Sequence, residues 1–397
     1  MSRRPRALIV VENETVPGDQ RVWNQARTLR DAGWRVVVLS PRPDRSMPAR
    51  ETIDEIEIRR FRLPEAGDAA VAFVAEYAVA LLQILIGSLR VRARGRIDVV
   101  QLCNPPDVLF LAALPLRILG AGLVFDHHDL SPELWLSKRG DAARDGAVHR
   151  ALGLAERTCL RVCDVVMSTN ESYRQIAIER GGCDPADVIV VRNGPDLERF
   201  ADPTPEPTHR AGRTELIGYV GTMAVQDGVD HLVHALDDLV RAGRDVQGLL
   251  IGDGPELDAL RDLATTLGIE DRITFTGRVA PGAVPDLLAS ADVCVCPDPP
   301  LPLNDHSTMI KVLEYLAVGA PIAMYDLTES RASAGEIAEY AEGHEPAGLA
   351  RAIAALLDDP ARRAELSDAG RRRVSDVLAW DHQAPHLLAA YERARSA

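Results

Sequence analysis

LIGYVGTMAVQDGVDHLVHALDDLVRAGRDVQGLLIGDG, residues 216–254, contains a whole structural unit. LIGYVGT is an apolar run of strand length. GVDHLVHALDDLVRAG puts Val229, Leu232, Val233, Leu236, Leu239 and Val240 on one face of a helix. VQGLLIGDG is a second strand-like run. Strand, amphipathic helix and strand in succession predict a parallel β-α-β unit, because parallel strands need a crossover of this kind.

The rhythm extends both ways. RITFTG, DVCVCP and PIAMYDL read as further strands separated by helical patterns. In the first half, Ala7–Glu12, WRVVVLS, Ile97–Leu102, Leu123–His127 and Val165–Ser168 read as strands, and a helix over Arg21–Asp31 is closed by Gly33. ERFADPTPEPTHRAGR, residues 198–213, is rich in Pro, Thr and charge, lacks periodicity and reads as a linker. The expectation is an α/β protein of two facing Rossmann-like domains with a deep interdomain cleft. Residues 1–197 form the N-terminal domain, 214–376 the C-terminal one, and 377–397 a helix that packs back on the first. Ligands are expected at the C-terminal ends of the strands.

Bulk properties narrow the function. The chain has 397 residues and a formal charge of −14, which repels a nucleic-acid backbone. Lysine occurs only at Lys138 and Lys311 among many arginines, the usage of a GC-rich, bacterial genome. Cys103, Cys159, Cys163, Cys183, Cys294 and Cys296 form no C-x-x-C pair and read as reduced thiols of a cytoplasmic protein. The start, MSRRPRALIVVEN, reads as a basic tip running into a strand rather than a signal peptide. Val71–Leu89 is long enough to span a bilayer, but it contains Glu76 and Gln83, and Arg90, Arg92, Arg94 and Arg96 follow. It reads as a core helix or as a peripheral membrane contact through residues 71–96, on the inner face of the plasma membrane and beside a lipid-linked acceptor.

NDHSTMIKVLEYLAVGAPI, residues 304–322, carries the chemistry. Ser307 or Thr308 is expected to cap a helix running to Val318, with Gly319 ending it. Such an N-terminus offers free N–H groups and a positive dipole to a diphosphate. Lys311 and Glu314 share a face, either as an ion pair or as separate contacts to phosphate and ribose.

This segment resembles the donor motif of glycosyltransferase family 4, retaining enzymes of the GT-B fold. The family motif is a Glu, seven residues, a second Glu, then A-x-G-x-P. Glu314 matches the second Glu; Ala317, Gly319 and Pro321 match the tail. His306 stands at the first Glu, with Asp305 beside it, which marks a variant subgroup. IVVRNGPDLERF, GYVGT, LLIGDGPELDALRDLA and ITFTGRV resemble successive elements of the same family, so the likeness covers most of the chain. The family's basic residue before the helix-opening glycine is absent: Gln226 and Asp227 occupy that loop. The resemblance implies a nucleotide-diphosphate-sugar co-substrate, no cofactor and no metal, with the backbone at Gly221 and Thr222 near phosphate and that at Arg278 and Val279 near the base. No D-x-D sequence is present, which disfavours a metal-dependent alternative.

Two N-terminal loops complete the candidate site. In ENETVPGDQRVWNQA, Gly18 precedes Asp19, a helix N-cap, and Arg21 falls in the first turn, where a cation is disfavoured. A salt bridge to Asp19 or a bound phosphate would compensate it, and similar family patterns favour phosphate. In LVFDHHDLSPELW, a strand ends in a His-Asp cluster whose spacing fits no standard zinc motif. His127 and His128 point opposite ways along a strand. The likeness places His128 at the family's sugar-facing histidine. His231 and His234 read as surface residues. Two other activities fit the scaffold: a nucleotide-sugar epimerase or isomerase, and a non-catalytic sugar-nucleotide-binding relative.

Overall fold

The computed structural model describes the backbone of residues 3–44, 46–62 and 70–397, and the side chains of all of these except 70–77. It divides into two compact units, Met1–Arg192 with Asp381–Ala397, and Asn193–Trp380.

The first unit is built on β1 (Arg6–Val11), β2 (Arg35–Pro41), β3 (Arg50–Ile53), β4 (Ile56–Phe61), β5 (Val99–Cys103), β6 (Gly122–His127), β7 (Val165–Ser168) and β8 (Val188–Val190). Their order is β3-β4-β2-β1-β5-β6-β7-β8. Only the β3–β4 pairing is antiparallel. Helices α1 (Gln20–Asp31), α2 (Ala70–Arg92), α3 (Phe110–Ile118), α4 (Ser131–Arg139), α5 (Ala147–Val162) and α6 (Glu171–Glu179) connect the strands. The strands run as nearly unbroken buried apolar stretches, as they must when helices cover both faces.

In the second unit, β9 (Glu215–Val220), β10 (Val246–Ile251), β11 (Ile273–Gly277), β12 (Val293–Cys296), β13 (Ile322–Met324) and β14 (Glu339–Tyr340) pair in parallel in the order β11-β10-β9-β12-β13-β14. Its helices are α7 (Val229–Arg241), α8 (Leu257–Leu267), α9 (Val284–Ala289), α10 (Pro302–His306), α11 (Ile310–Val318), α12 (Thr328–Ala334), α13 (Pro346–Asp358) and α14 (Pro360–Arg373). Each sheet reverses direction beside its first strand, between β1 and β5 and between β9 and β12. Such reversals open crevices beyond the strand ends, the usual ligand position in open α/β sheets.

Residues 198–213 lie within the second unit. Phe200 is buried in its core. The Thr204 N–H donates to Asp286, the Glu206 N–H to Ser290 Oγ, and Arg210 grips Asp292 through two nitrogens. Periodicity is missing because side-chain anchors, rather than a repeating apolar face, hold this segment. The last helix, α15 (Trp380–Ser396), runs through the C-terminal segment of the first unit, where the Tyr391 hydroxyl donates to Gln101 Oε1 at 2.6 Å.

Helix α2 covers most of the segment weighed as a membrane contact, although the side chains of 71–77 lie outside the described residues. Ala80, Ile84 and Val91 face the core, and Val79, Leu82, Ile86 and Leu89 face outward. Among the described residues no helix is long and apolar enough to cross a membrane.

Candidate active site

In the second unit the site forms where β9 and β12 part. Tyr315 pins α11 to the sheet: its hydroxyl donates to the Val295 carbonyl and accepts from the Val220 N–H. That fixes Lys311, in the first turn of α11, over the Tyr219 ring, with Nζ 5.1 Å from the ring centre. Gly221 adopts a φ of +153°, and a Cβ there would fall 2.8 Å from the Tyr219 hydroxyl and 3.3 Å from Lys311 Cε. Only glycine leaves that space to the lysine.

Lys311 Nζ lies 2.9 Å from both carboxylate oxygens of Asp298 and 3.5 Å from Asp227. Burial works against the charged amine, yet Asp298 and its neighbours hold its pKa well above the ordinary lysine value. The Cys296 thiol donates to Asp298, whose carboxylate is 2% exposed. Burial raises the Asp227 carboxyl, with Lys311 opposing. The Asn304 amide reaches the carbonyls of Gln226 and Pro299, tying the Asp227 loop to α10.

Several expectations change here. Ser307 and Thr308 do not cap the long helix. Pro302 starts a separate short helix that ends at His306, Ser307 follows it, and α11 begins at Ile310 with Met309 as an N-cap that makes no side-chain bond. Thr308 Oγ1 lies 3.4 Å from Glu329 instead. Gly319 ends α11 with a left-handed φ of +72°. Lys311 and Glu314 do not pair with each other: Glu314 faces Arg199 at 3.5 Å, and burial raises its carboxyl. Asp305 accepts from the Thr328 N–H and hydroxyl, so it fastens α12. His306 is half-buried, Arg278 is exposed, and Val279 packs against the core.

In the first unit, Asp126 near the end of β6 is the centre. It is fully buried. Arg21 donates to it at 2.6 Å, Gln25 at 2.6 Å and Gln101 at 3.0 Å, and His128 Nε2 lies 2.7 Å away. Burial disfavours its charge, but Arg21 and His128 outweigh that and hold the carboxyl well below its usual range. Asp19 caps α1 through the Val22 N–H, as read from the sequence. Arg21 does not pair with Asp19: it is 8% exposed and bridges Asp126 to the Val191 carbonyl. The Gly18 backbone is exposed.

Asn104 shapes the next turn. Its side-chain oxygen accepts from the His128 and Asp129 N–H groups, and its amide donates to the Asp129 carbonyl. His127 turns to the other face of the sheet, between the Phe125 and Tyr173 rings, with Nε2 3.6 Å from the buried Glu156. Cys103, Asp126 and His128 bring potential ligand atoms within 4.8 Å of one another. In this structure Asp126 is already engaged by Arg21, Gln25 and Gln101, and burial raises the Cys103 thiol.

Sequence reading missed Asp298, Gln25, Gln101 and Tyr391 and left Asp126 without a role. The available signal was a carboxylate placed at or just after a buried strand, twice: FDHHD and VCPD.

The fold has known counterparts. The solved sucrose-phosphate synthase of Thermosynechococcus elongatus superposes with a TM-score of 0.80 over 98% of both chains at 20% identity. Residues 18–194 match the family Glycosyl transferase 4-like domain, and residues 214–359 match Glycosyl transferases group 1. The chain is a GT-B glycosyltransferase. By sequence this glycosyltransferase is 26% identical over 351 residues to 2-deoxystreptamine glucosyltransferase of Streptomyces kanamyceticus, covering 85% of this chain and 88% of that one. It spans about 60% of the length of the D-inositol 3-phosphate glycosyltransferases it also matches. Anabaena HepE, solved in complex with UDP-glucose, shares the fold with a TM-score of 0.69 at 15% identity.

Proposed function

We propose that this glycosyltransferase moves a sugar from a nucleoside-diphosphate sugar to an acceptor with retention of configuration and without a metal ion. Lys311 carries the reading: it is a buried cation in the N-terminal turn of α11, in the crevice beside β9. As the glycosidic bond breaks, negative charge grows on the departing diphosphate. A fixed ammonium and free helix N–H groups stabilise that charge without reorganising. Glu314 accepts from the ribose hydroxyls, the backbone at Arg278 and Val279 meets the base, and His128 contacts the transferring sugar. Arg21 acts through Asp126 rather than on phosphate. Binding of UDP-glucose by HepE supports the donor class. The test is a thermal-shift screen of nucleoside diphosphates and their sugars, since a ligand of the native state raises its stability. Product NMR on the best donor then reads the anomeric configuration. An inverted product, or donor rearrangement without acceptor, would overturn the proposal.

The acceptor is lipid-linked in this reading, and the protein works from the cytoplasmic side of an anionic membrane. Val79, Leu82, Ile86 and Leu89 follow helical spacing and make one exposed apolar stripe on α2. The neighbouring α3 adds exposed Leu111 and Ile118. Arg90, Arg94 and Arg96 are exposed at the end of this stripe, although Arg94 faces Glu57 at 3.7 Å and Arg96 faces Asp98 at 3.5 Å. Apolar surface beside cations suits peripheral docking. Flotation with anionic vesicles at low salt, lost as salt screens the arginines, is the expected result. If the protein never floats, a soluble acceptor such as the cyclitols in its relatives' names replaces the lipid.

A further inference from the structure

The His128 ring is partly exposed, 13% by its side chain, and its buried edge ends on a carboxylate. Asp126 accepts from Arg21, Gln25 and Gln101 at the same time, and Gln101 is itself held by Gln25 and Tyr391. This carboxylate therefore has no freedom to follow the imidazole: its position is set by α1, β5 and α15. It is ionised, so the nitrogen 2.7 Å from it must carry a proton. The Asn104 side chain holds the His128 backbone from the other side. The charged and titratable groups around the ring are Asp126 from β6, Arg21 from α1, Cys103 from β5 and Asp129 from its own loop.

We propose that Asp126 is the positioning residue of His128. It keeps the proton on Nε2 and leaves Nδ1 as the ring nitrogen that accepts a hydrogen bond from a hydroxyl of the transferring sugar. The role in transfer rests on the donor reading above; the tautomer does not. A carboxylate that fixes the tautomer and orientation of a working histidine is a recurrent device.

The first test needs no substrate. Long-range proton–nitrogen correlation on the full chain at neutral pH should show His128 as the Nε2–H tautomer. A dominant Nδ1–H form overturns the proposal, whatever reaction the protein catalyses. The second test is a double-mutant cycle. Asp126→Asn should lower kcat roughly 100-fold, the cost of a small misplacement, with little change in donor KM. In a His128→Ala background the same substitution should cost nothing more, because the two residues act as one unit. An equal loss in both backgrounds would mean that Asp126 acts independently of His128. If Asp126→Asn does not fold, the wild-type tautomer still decides.

Discussion

Asp126 in the first unit and Lys311 in the second are both buried charges at the C-terminal end of a parallel sheet, compensated in opposite senses. Around Asp126 stand one guanidinium, two amides and an imidazole, all aimed at a single carboxylate. Around Lys311 stand two carboxylates aimed at a single ammonium. A buried charge is tolerated only when paired. The first cluster is neutral before His128 is counted. The second carries a formal excess of one negative charge when Asp227 is ionised, at the place proposed for a diphosphate. Burial raises the Asp227 carboxyl, Lys311 opposes it and the Asp298 charge adds to it, which links the donor site to a proton.

The comparison can be broken in several ways. Asp126→Ala strands the Arg21 guanidinium in the interior and should cost about 3–5 kcal/mol of stability in urea unfolding. An unchanged midpoint would mean that Arg21 finds another partner. The Asp126 contribution is present above the ordinary carboxylate pKa of about 3.9 and is lost as pH falls towards its depressed folded value. Lys311→Ala should lose roughly 2–4 kcal/mol of transition-state stabilisation. Wild-type kinetics in that variant would remove Lys311 from the mechanism. Glu314→Gln should weaken nucleoside-diphosphate binding by about 1 kcal/mol in calorimetry, and unchanged affinity would count against the ribose contact.

Smaller effects sharpen the contrast at Asp227. Its folded pKa is raised, so its protonated form is favoured by folding at low pH, and that contribution fades as pH rises through the folded value. A diphosphate favours the same protonation. Nucleotide-sugar affinity should therefore rise as pH falls, with proton uptake on binding. Asp227→Asn should flatten that profile and tighten binding at neutral pH. Weaker binding in this variant would make Asp227 a donor contact instead. Chelation with EDTA should leave activity unchanged, since Lys311 and the α11 N-terminus meet the developing charge; loss rescued by magnesium would overturn the metal-free scheme.

The β-α-β rhythm was legible because buried parallel strands are short apolar runs, and Val165–Ser168 was found to the residue. Strand alternation separated His127 from His128, and the Asp19 cap and Gly319 stop were local signals. The β3–β4 pair was not legible. Its strands interleave charge with apolar residues, and Asp54 and Glu55 make the turn at positive φ without the expected glycine. The partners of the buried charges were hidden for another reason. Arg21 and Asp126 are 105 residues apart, and no local pattern joins them. Lys311 was singled out, but as a group facing solvent or phosphate, because nothing in VCPD announces that its carboxylate is already committed.

Gly122 begins β6, and a Cβ there would fall 1.9 Å from the Ala394 carbonyl. Backbone meets backbone at that point, between the middle of the first unit and the end of the chain. The order of synthesis follows from this. When Arg192 leaves the ribosome, the first unit still lacks Asp381–Ala397 and with it the Tyr391 hydroxyl that braces Gln101. Asn193–Trp380 must be translated in between, which takes roughly 10–40 s at typical rates of synthesis. The second unit, being one continuous stretch, can close first. The nascent first half must wait with the surface reserved for α15 uncovered, and a stalled or truncated chain would expose that surface to chaperones and proteases.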